Sequence, residues 1–290
     1  MDAALQQWHK AGQYVEQQGH RTFYRDEGQG PVLLCLHGYP TASWDWHRVW
    51  PLLVGRYRLI APDLLGFGFS DKPRDHAYSI ADQASRVEGL LAMLGVDRVH
   101  LLAHDYGDTV AQELMARHQA RRQGGQPGAE LRSVTLLNGG LFPEAHRARP
   151  IQTLLRSPLA PLLLRLFNAR AFGPNMRAIF GPDTQPDEPE LARMWALLSH
   201  DGGRANMGRL LHYIDERRLL RERWVGALVQ ADMPLRLVAG MDDPVSGRHM
   251  VARYRQLVPH ADVIELAGIG HYPQWEAANR VAEAVMEVAR

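Results

Sequence analysis

Ten residues, Val99 to Asp108, read V-H-L-L-A-H-D-Y-G-D and run straight into T-V-A-Q-E-L-M-A-R. The apolar start (Val99, Leu101, Leu102) is the material of a buried strand, and helical spacing begins once Gly107 is passed. A strand, a sharp turn and a helix packed into so few residues tolerate only small side chains flanking the apex, here Ala103 and Gly107. A chain organised around such a turn is confined to α/β architecture, with the apex at the carboxyl end of a strand, where open sheets place functional groups. The apex is Asp105. No G-x-S-x-G occurs in the sequence, so a carboxylate stands where a nucleophile elbow usually carries serine.

The remaining pattern agrees with this frame. Ala3 to Lys10 is spaced as a short amphipathic helix, and Gln13 to Gln18 and Arg21 to Asp26 alternate as a hairpin joined at Gly19 and His20. Pro31 to Leu36 is a continuous apolar run, as expected of a parallel strand covered on both faces. A helix over about Ser43 to Val54, a strand over Tyr57 to Ala61, a glycine-rich turn closing at Pro73 and a helix over Ile80 to Leu94 follow. After the elbow comes the strand Leu131 to Leu137. The alternation then stops, and Leu141 to Ala231 reads as helix or loop. It resumes with strands over Leu235 to Ala239 and Asp262 to Leu266, and helices over about Gly247 to Leu257 and Gln274 to Arg290. The expectation is a mostly parallel, doubly wound sheet formed by residues 1–140 and 232–290, with residues 141–231 inserted after the sixth strand as a helical cap.

A chain of 290 residues can bury one large core of this kind. Its formal charge of +1 offers no field for nucleic acid or an anionic membrane. The charged run Glu216 to Trp224 (E-R-R-L-L-R-E-R-W) is expected to be a solvated helix face. The single cysteine, Cys35, excludes an internal disulfide and sits in an apolar strand. The first residues carry neither a signal-peptide pattern nor a membrane-length apolar run, so a cytoplasmic chain without a membrane partner is expected. No metal-ligand spacing or phosphate loop appears, so neither metal nor cofactor is expected. The oligomeric state is not legible.

Two further residues fall just past strand ends: Asp243 in G-M-D-D-P and His271 in G-I-G-H-Y-P. The G-x-x-D spacing favours Asp243 over Asp242, and the order nucleophile, acid, histidine is that of a triad on this topology. An aspartate is already ionised at neutral pH and needs no base to activate it. The expected chemistry is therefore attack by Asp105 on carbon to give an ester, which a water activated by His271 hydrolyses while Asp243 orients the ring. The backbone N–H groups of Tyr39 and Tyr106 are the candidate oxyanion hole. A carboxylate suits displacement at saturated carbon, which points to epoxides or alkyl halides. An epoxide needs a proton donor for its leaving oxygen, and residues 141–231 contain one tyrosine, Tyr213, fit equally for that role or for packing. His37, Trp44 and Tyr213 are candidate substrate-binding positions, although Trp44, like Trp46, also suits the core. Asp63, Gly66, Gly68, Ser70 and Asp71 are expected to define a tight loop, and Asp108 to sit at the helix N-terminus where the dipole favours a carboxylate.

With H-G-Y-P, D-L-L-G-F-G-F-S-D-K-P, A-H-D-Y-G-D and G-H-Y-P on the page, the chain resembles the α/β-hydrolase superfamily in its epoxide hydrolase and haloalkane dehalogenase branch. Through H-D-Y-G-D-T-V-A-Q-E-L, N-G-G-L-F-P-E-A-H-R and R-W-V-G-A-L it is similar to the mesoderm-specific transcript group. The resemblance implies an α/β-hydrolase fold, the triad Asp105, Asp243 and His271, and a cis Tyr39-Pro40 bond. Animal members of that group carry a membrane segment ahead of the hydrolase domain, and a soluble chain is expected here. Epoxide hydrolases typically use two cap tyrosines, of which Tyr213 matches the later. Dehalogenases commonly have Asn or Trp after H-G and Trp after the nucleophile, and tyrosine fills both positions here. The reading is an epoxide hydrolase acting on a small apolar epoxide and water. A haloalkane dehalogenase, an ester or lipid hydrolase, and a small-molecule receptor on the same fold are the alternatives.

Overall fold

The structure, a computed structural model, describes residues 1–157 and 160–289, with the side chains of 161 and 162 left out. Its strands are β1 (Gly12–Gln17), β2 (His20–Glu27), β3 (Val32–Leu36), β4 (Arg58–Pro62), β5 (Arg98–His104), β6 (Glu130–Leu137), β7 (Leu235–Gly240) and β8 (Asp262–Leu266). They form one eight-stranded sheet in the order β1-β2-β4-β3-β5-β6-β7-β8. The β1–β2 and β2–β4 pairs are antiparallel and the others parallel. The first hairpin turns at Gln18 and Gly19, both at positive φ (53° and 74°), the conformation that matches the twist of paired strands.

The apolar runs are buried as their composition demands: Leu33, Leu34, Cys35 and Leu36 of β3 and Val99, Leu101, Leu102 and Ala103 of β5 lie in the core. Two expected helices are interrupted. Over Ser43 to Val54 the chain forms a 3-10 turn, Ser43–Trp46, and a single helical turn, Trp50–Leu53, because buried Trp44, Trp46 and Trp50 and Pro51 do not fit one face of one continuous helix. The last helix breaks at Ala277 (φ −140°, ψ 48°) into Pro273–Glu276 and Ala278–Val288, and Arg290 lies outside the described residues. Between β6 and β7 the described residues contain helices and loops and no strand. Among the described residues no helix is long and apolar enough to cross a membrane.

The elbow has its expected shape. β5 ends at His104, Asp105 takes φ 48° and ψ −101°, and a helix runs from Tyr106 to Gly124. A non-glycine residue at positive φ is strained, and such strain persists only where the surroundings enforce it. Here Gly107 allows the close approach: a Cβ on it would stand 2.2 Å from the Leu36 carbonyl oxygen. The obstacle is backbone of a central strand, which cannot step aside. Gly107→Ala is expected to cost about 3 kcal/mol, the upper range for overpacking, read as a lowered urea midpoint at unchanged slope.

Candidate active site

Asp105 is held from several sides. Its own N–H donates to the Leu137 carbonyl at 3.2 Å, and one carboxylate oxygen, Oδ2, accepts from the Tyr39 N–H at 3.0 Å. The Tyr39-Pro40 bond is cis, as the resemblance implied. Gly38 lets this loop approach, since a Cβ there would stand 2.6 Å from His104 Nδ1 and 3.0 Å from the Asp105 Cβ. Tyr106 is the first residue of the elbow helix, so its N–H has no intrahelical acceptor.

His271 and Asp243 meet at the ends of β8 and β7. The His271 Nδ1 lies 2.8 Å from Asp243 Oδ2. That oxygen also accepts from Ser246 Oγ at 2.6 Å and Asn138 Nδ2 at 2.9 Å, while Oδ1 accepts from the Val245 N–H at 2.7 Å. Burial alone would raise the Asp243 carboxyl, but the His271 charge and these donors outweigh it and hold its pKa at about 2. Burial likewise disfavours a charged His271, yet the Asp243 carboxylate, with Asp105 and Glu276 adding to it, raises the ring to about 9. The His271 loop is pinned: His271 N–H donates to Ile179 O at 2.7 Å, and the His271 carbonyl is 2.8 Å from His104 Nε2. Glu276 accepts from the N–H groups of Gly270, Tyr272 and Gly181 and from Thr184 Oγ1, all between 2.6 and 2.9 Å.

Asp105 and His271 line one cavity of about 80 Å³. Its walls are Tyr39 and Pro40 from the core, Val245 beside Asp243, and Ile151, Leu155, Phe167, Phe172, Met176 and Met207 from the helices between β6 and β7. Tyr213, expected to bind substrate, is not among the residues that line the cavity; it is fully buried close to Asp105, its Oη without a hydrogen-bond partner. Burial first, and then the charge of Asp105, raise this phenol above the ordinary tyrosine value.

Several expectations need correction. Arg217 belongs to the run read as a solvated face, yet it is 2% exposed and reaches the elbow. Its Nε donates to Thr109 Oγ1 at 2.8 Å, and Nη2 lies 3.2 Å from the Asp105 carbonyl and 3.9 Å from Asp105 Oδ1. Trp224, in the same run, is buried with its Nε1 on Glu113 at 2.8 Å. These side chains turn inward because anionic and carbonyl oxygens await them there. Asp108 does sit in the first turn of the elbow helix, as expected, but it is fully buried there and neither carboxylate oxygen has a hydrogen-bond partner. Burial, and then the Asp105 charge, push it well above the ordinary carboxylate range. His37 does not line the cavity; its Nδ1 is 2.9 Å from the Gly38 carbonyl and its Nε2 accepts from the Leu64 N–H at 3.0 Å, so the ring shapes the loop. Trp44 also lies away from it, stacked on His47 at 4.3 Å and edge-on to Trp8 at 5.4 Å. The loop around Asp63 is as expected, with its carboxylate accepting from the Ser43 and Phe69 N–H groups at 2.7 Å. Cys35 is a buried core residue.

Missed from the sequence were Arg217, Asn138, Ser246, Glu276 and His146. Asn138 could have been found at the end of β6 by the same strand-end rule that found Asp243. His146, whose Nε2 is buried without a partner, is lowered to about 3 by burial and then by the Arg217 charge.

Comparison with known proteins gives the family. The mesoderm-specific transcript protein of Mus musculus is 43% identical over 287 residues, covering 95% of this chain and 85% of the relative. LipZ of Mycobacterium tuberculosis, named as a hydrolase, is 38% identical over 286 residues, 98% of each chain. A cis-3-alkyl-4-alkyloxetan-2-one decarboxylase of Shewanella oneidensis is 25% identical over 284 residues, 92% of this chain and 85% of the relative. Among solved structures, the epoxide hydrolase CorEH superimposes with a TM-score of 0.77 at 21% identity, covering 96% of this chain and 97% of the other. The alpha/beta hydrolase fold family matches residues 31–278, and the chain belongs to that family.

Proposed function

We propose that this hydrolase opens small apolar epoxides to diols through an ester on Asp105. The observation that carries the reading is the Asp105 carboxylate, at a strained elbow on the cavity wall, with one oxygen already held by the Tyr39 N–H and an unpartnered phenol, Tyr213, beside it. The free oxygen attacks ring carbon, the carbon–oxygen bond breaks, and Tyr213 protonates the departing oxygen. His271, oriented by Asp243, then takes a proton from water, and the resulting hydroxide adds to the ester carbonyl. The Tyr39 and Tyr106 N–H groups stabilise the oxyanion. Collapse frees the diol and the carboxylate, and the proton held by His271 restores the Tyr213 phenol. In this reading the helices between β6 and β7 act as a cap that supplies the apolar walls and excludes water. The relative named for an oxetan-2-one supports a strained oxygen ring over a halide as the electrophile.

A single turnover in ¹⁸O-water tests the ester. Diol from the first turnover is unlabelled, because its new oxygen comes from Asp105; label in that first diol would mean direct attack by water and end the reading. A parallel halide assay on bromoalkanes separates the dehalogenase alternative. Tyr213→Phe is expected to slow epoxide opening by about 10³-fold, measured as the rate of adduct formation.

A further inference from the structure

We infer that the side chain of Tyr39 is the second hydrogen-bond donor to the substrate oxygen, so that the oxyanion loop supplies a phenol as well as a backbone N–H. This rests on the reading above and goes beyond it. Epoxide opening is served by two donors on the leaving oxygen, and residues 141–231 hold one tyrosine.

Four buried phenols surround the nucleophile, and their neighbours sort them. The Tyr106 and Tyr272 hydroxyls are also without a hydrogen-bond partner, but Tyr106 has Glu216 and Gln83 as its polar neighbours, Tyr272 has Asp45 and Thr41, and neither residue lines the cavity. Tyr39 is different. It lines the cavity beside Asp105 and His271, its hydroxyl has no hydrogen-bond partner, and the charges that bear on it are those of Tyr213 and Asp105. Tyr213 stands behind the cavity wall and does not line it, but its Oη is also unpartnered and bears the charge of Asp105. A buried hydroxyl without a partner carries a desolvation cost that an incoming acceptor removes. Two such hydroxyls at one carboxylate make a site for an oxygen with two lone pairs.

The two phenols have different parts. The Arg217 guanidinium lies 4.4 Å over the Tyr213 ring and favours its phenolate, so Tyr213 gives the proton. No cation bears on Tyr39 in this way, so Tyr39 keeps its proton and donates a hydrogen bond to the oxygen as negative charge grows there. The balance is that of the proposed reaction: the Asp105–carbon bond forms, the carbon–oxygen bond breaks, and one proton leaves Tyr213.

Tyr39→Phe isolates the side chain, since the N–H on Asp105 Oδ2 is retained. In single turnovers of a terminal epoxide, adduct formation should slow about 10²-fold while adduct decay stays within twofold. Equal slowing of both steps, or adduct formation within threefold of the parent, overturns the proposal. A second measurement does not depend on turnover: tetrahydrofuran, an unreactive cyclic ether, titrated by NMR, should bind Tyr39→Phe about fivefold more weakly than the parent. Equal affinity, or no binding by the parent, counts against the phenol pair. A parent that opens no epoxide yet loses ether affinity on Tyr39→Phe removes the epoxide reading and leaves the donor pair standing.

Discussion

A His271→Gln variant is expected to stop the reaction halfway. Adduct formation uses Asp105 and the phenols and proceeds at close to the parent rate, whereas steady-state turnover falls by about 10⁴-fold, the upper range for loss of a general base. Mass spectrometry of the peptide containing Asp105 should then show the parent mass plus one substrate. Glutamine retains a donor for Asp243 Oδ2, which already has Ser246 and Asn138 as partners, so the pocket should hold its shape. The parent enzyme should show the matching pH dependence. In the free protein His271 is raised to about 9, and a base must be neutral to act, so ester hydrolysis rises with pH below that value. Forming the ester removes the Asp105 charge that helps raise the ring, so the plateau is reached below pH 9 in the intermediate. The sign for stability is the reverse. The raised His271 stabilises the fold fully below its ordinary 6.5 and loses that contribution as pH climbs through about 9. Asp243, lowered to about 2, contributes above its ordinary 3.8 and loses that contribution as pH falls toward 2. Turnover and thermal stability should therefore diverge between pH 6.5 and 9.

Arg217→Met is expected to be the most destabilising single change, by about 3–5 kcal/mol, the usual cost of stripping one partner from a buried ionic group. The side chain is 2% exposed, bonds Thr109 Oγ1 and the Asp105 carbonyl, and lies 3.9 Å from Asp105 Oδ1. Without it the Asp105 and Asp108 carboxyl groups share a buried region with no guanidinium to offset charge. Denaturant titration reads the loss of stability, and the adduct-formation rate should fall in Arg217→Met. An unchanged rate would reduce Arg217 to a packing role.

The contrast between Arg217 and Asp105 explains what could be read in advance. Asp105 was legible because the backbone imposes its own residue pattern: Ala103 and Gly107 must be small wherever a strand turns this sharply into a helix. The strands were legible for a similar reason, since β3 and β5 are covered on both faces and admit little but apolar side chains. Arg217 obeys no such local rule. Its partners lie 108 and 112 residues earlier, and an arginine drawn inward by distant oxygens looks, in sequence, like one facing water. Asp108 was placed correctly in the first helical turn, but a helix N-terminus explains a carboxylate whether it is exposed or buried, so its burial was not legible. Trp44 failed as a cavity residue because aromatic composition does not say which side of a loop a ring takes. Glu276 was hidden by an otherwise unbroken helical pattern that its own four hydrogen bonds interrupt.

The Glu276 carboxylate has a mechanical consequence. It ties Gly181 and Thr184, in the segment between β6 and β7, to the loop carrying His271, and the Ile179 carbonyl is fastened to His271 itself. A chamber of about 80 Å³ admits only a few heavy atoms as it stands, so bulkier guests require its walls to give. The wall cannot give at Ile179 to Thr184 without dragging the imidazole out of line, so the size of an accepted guest is coupled to the alignment of that ring.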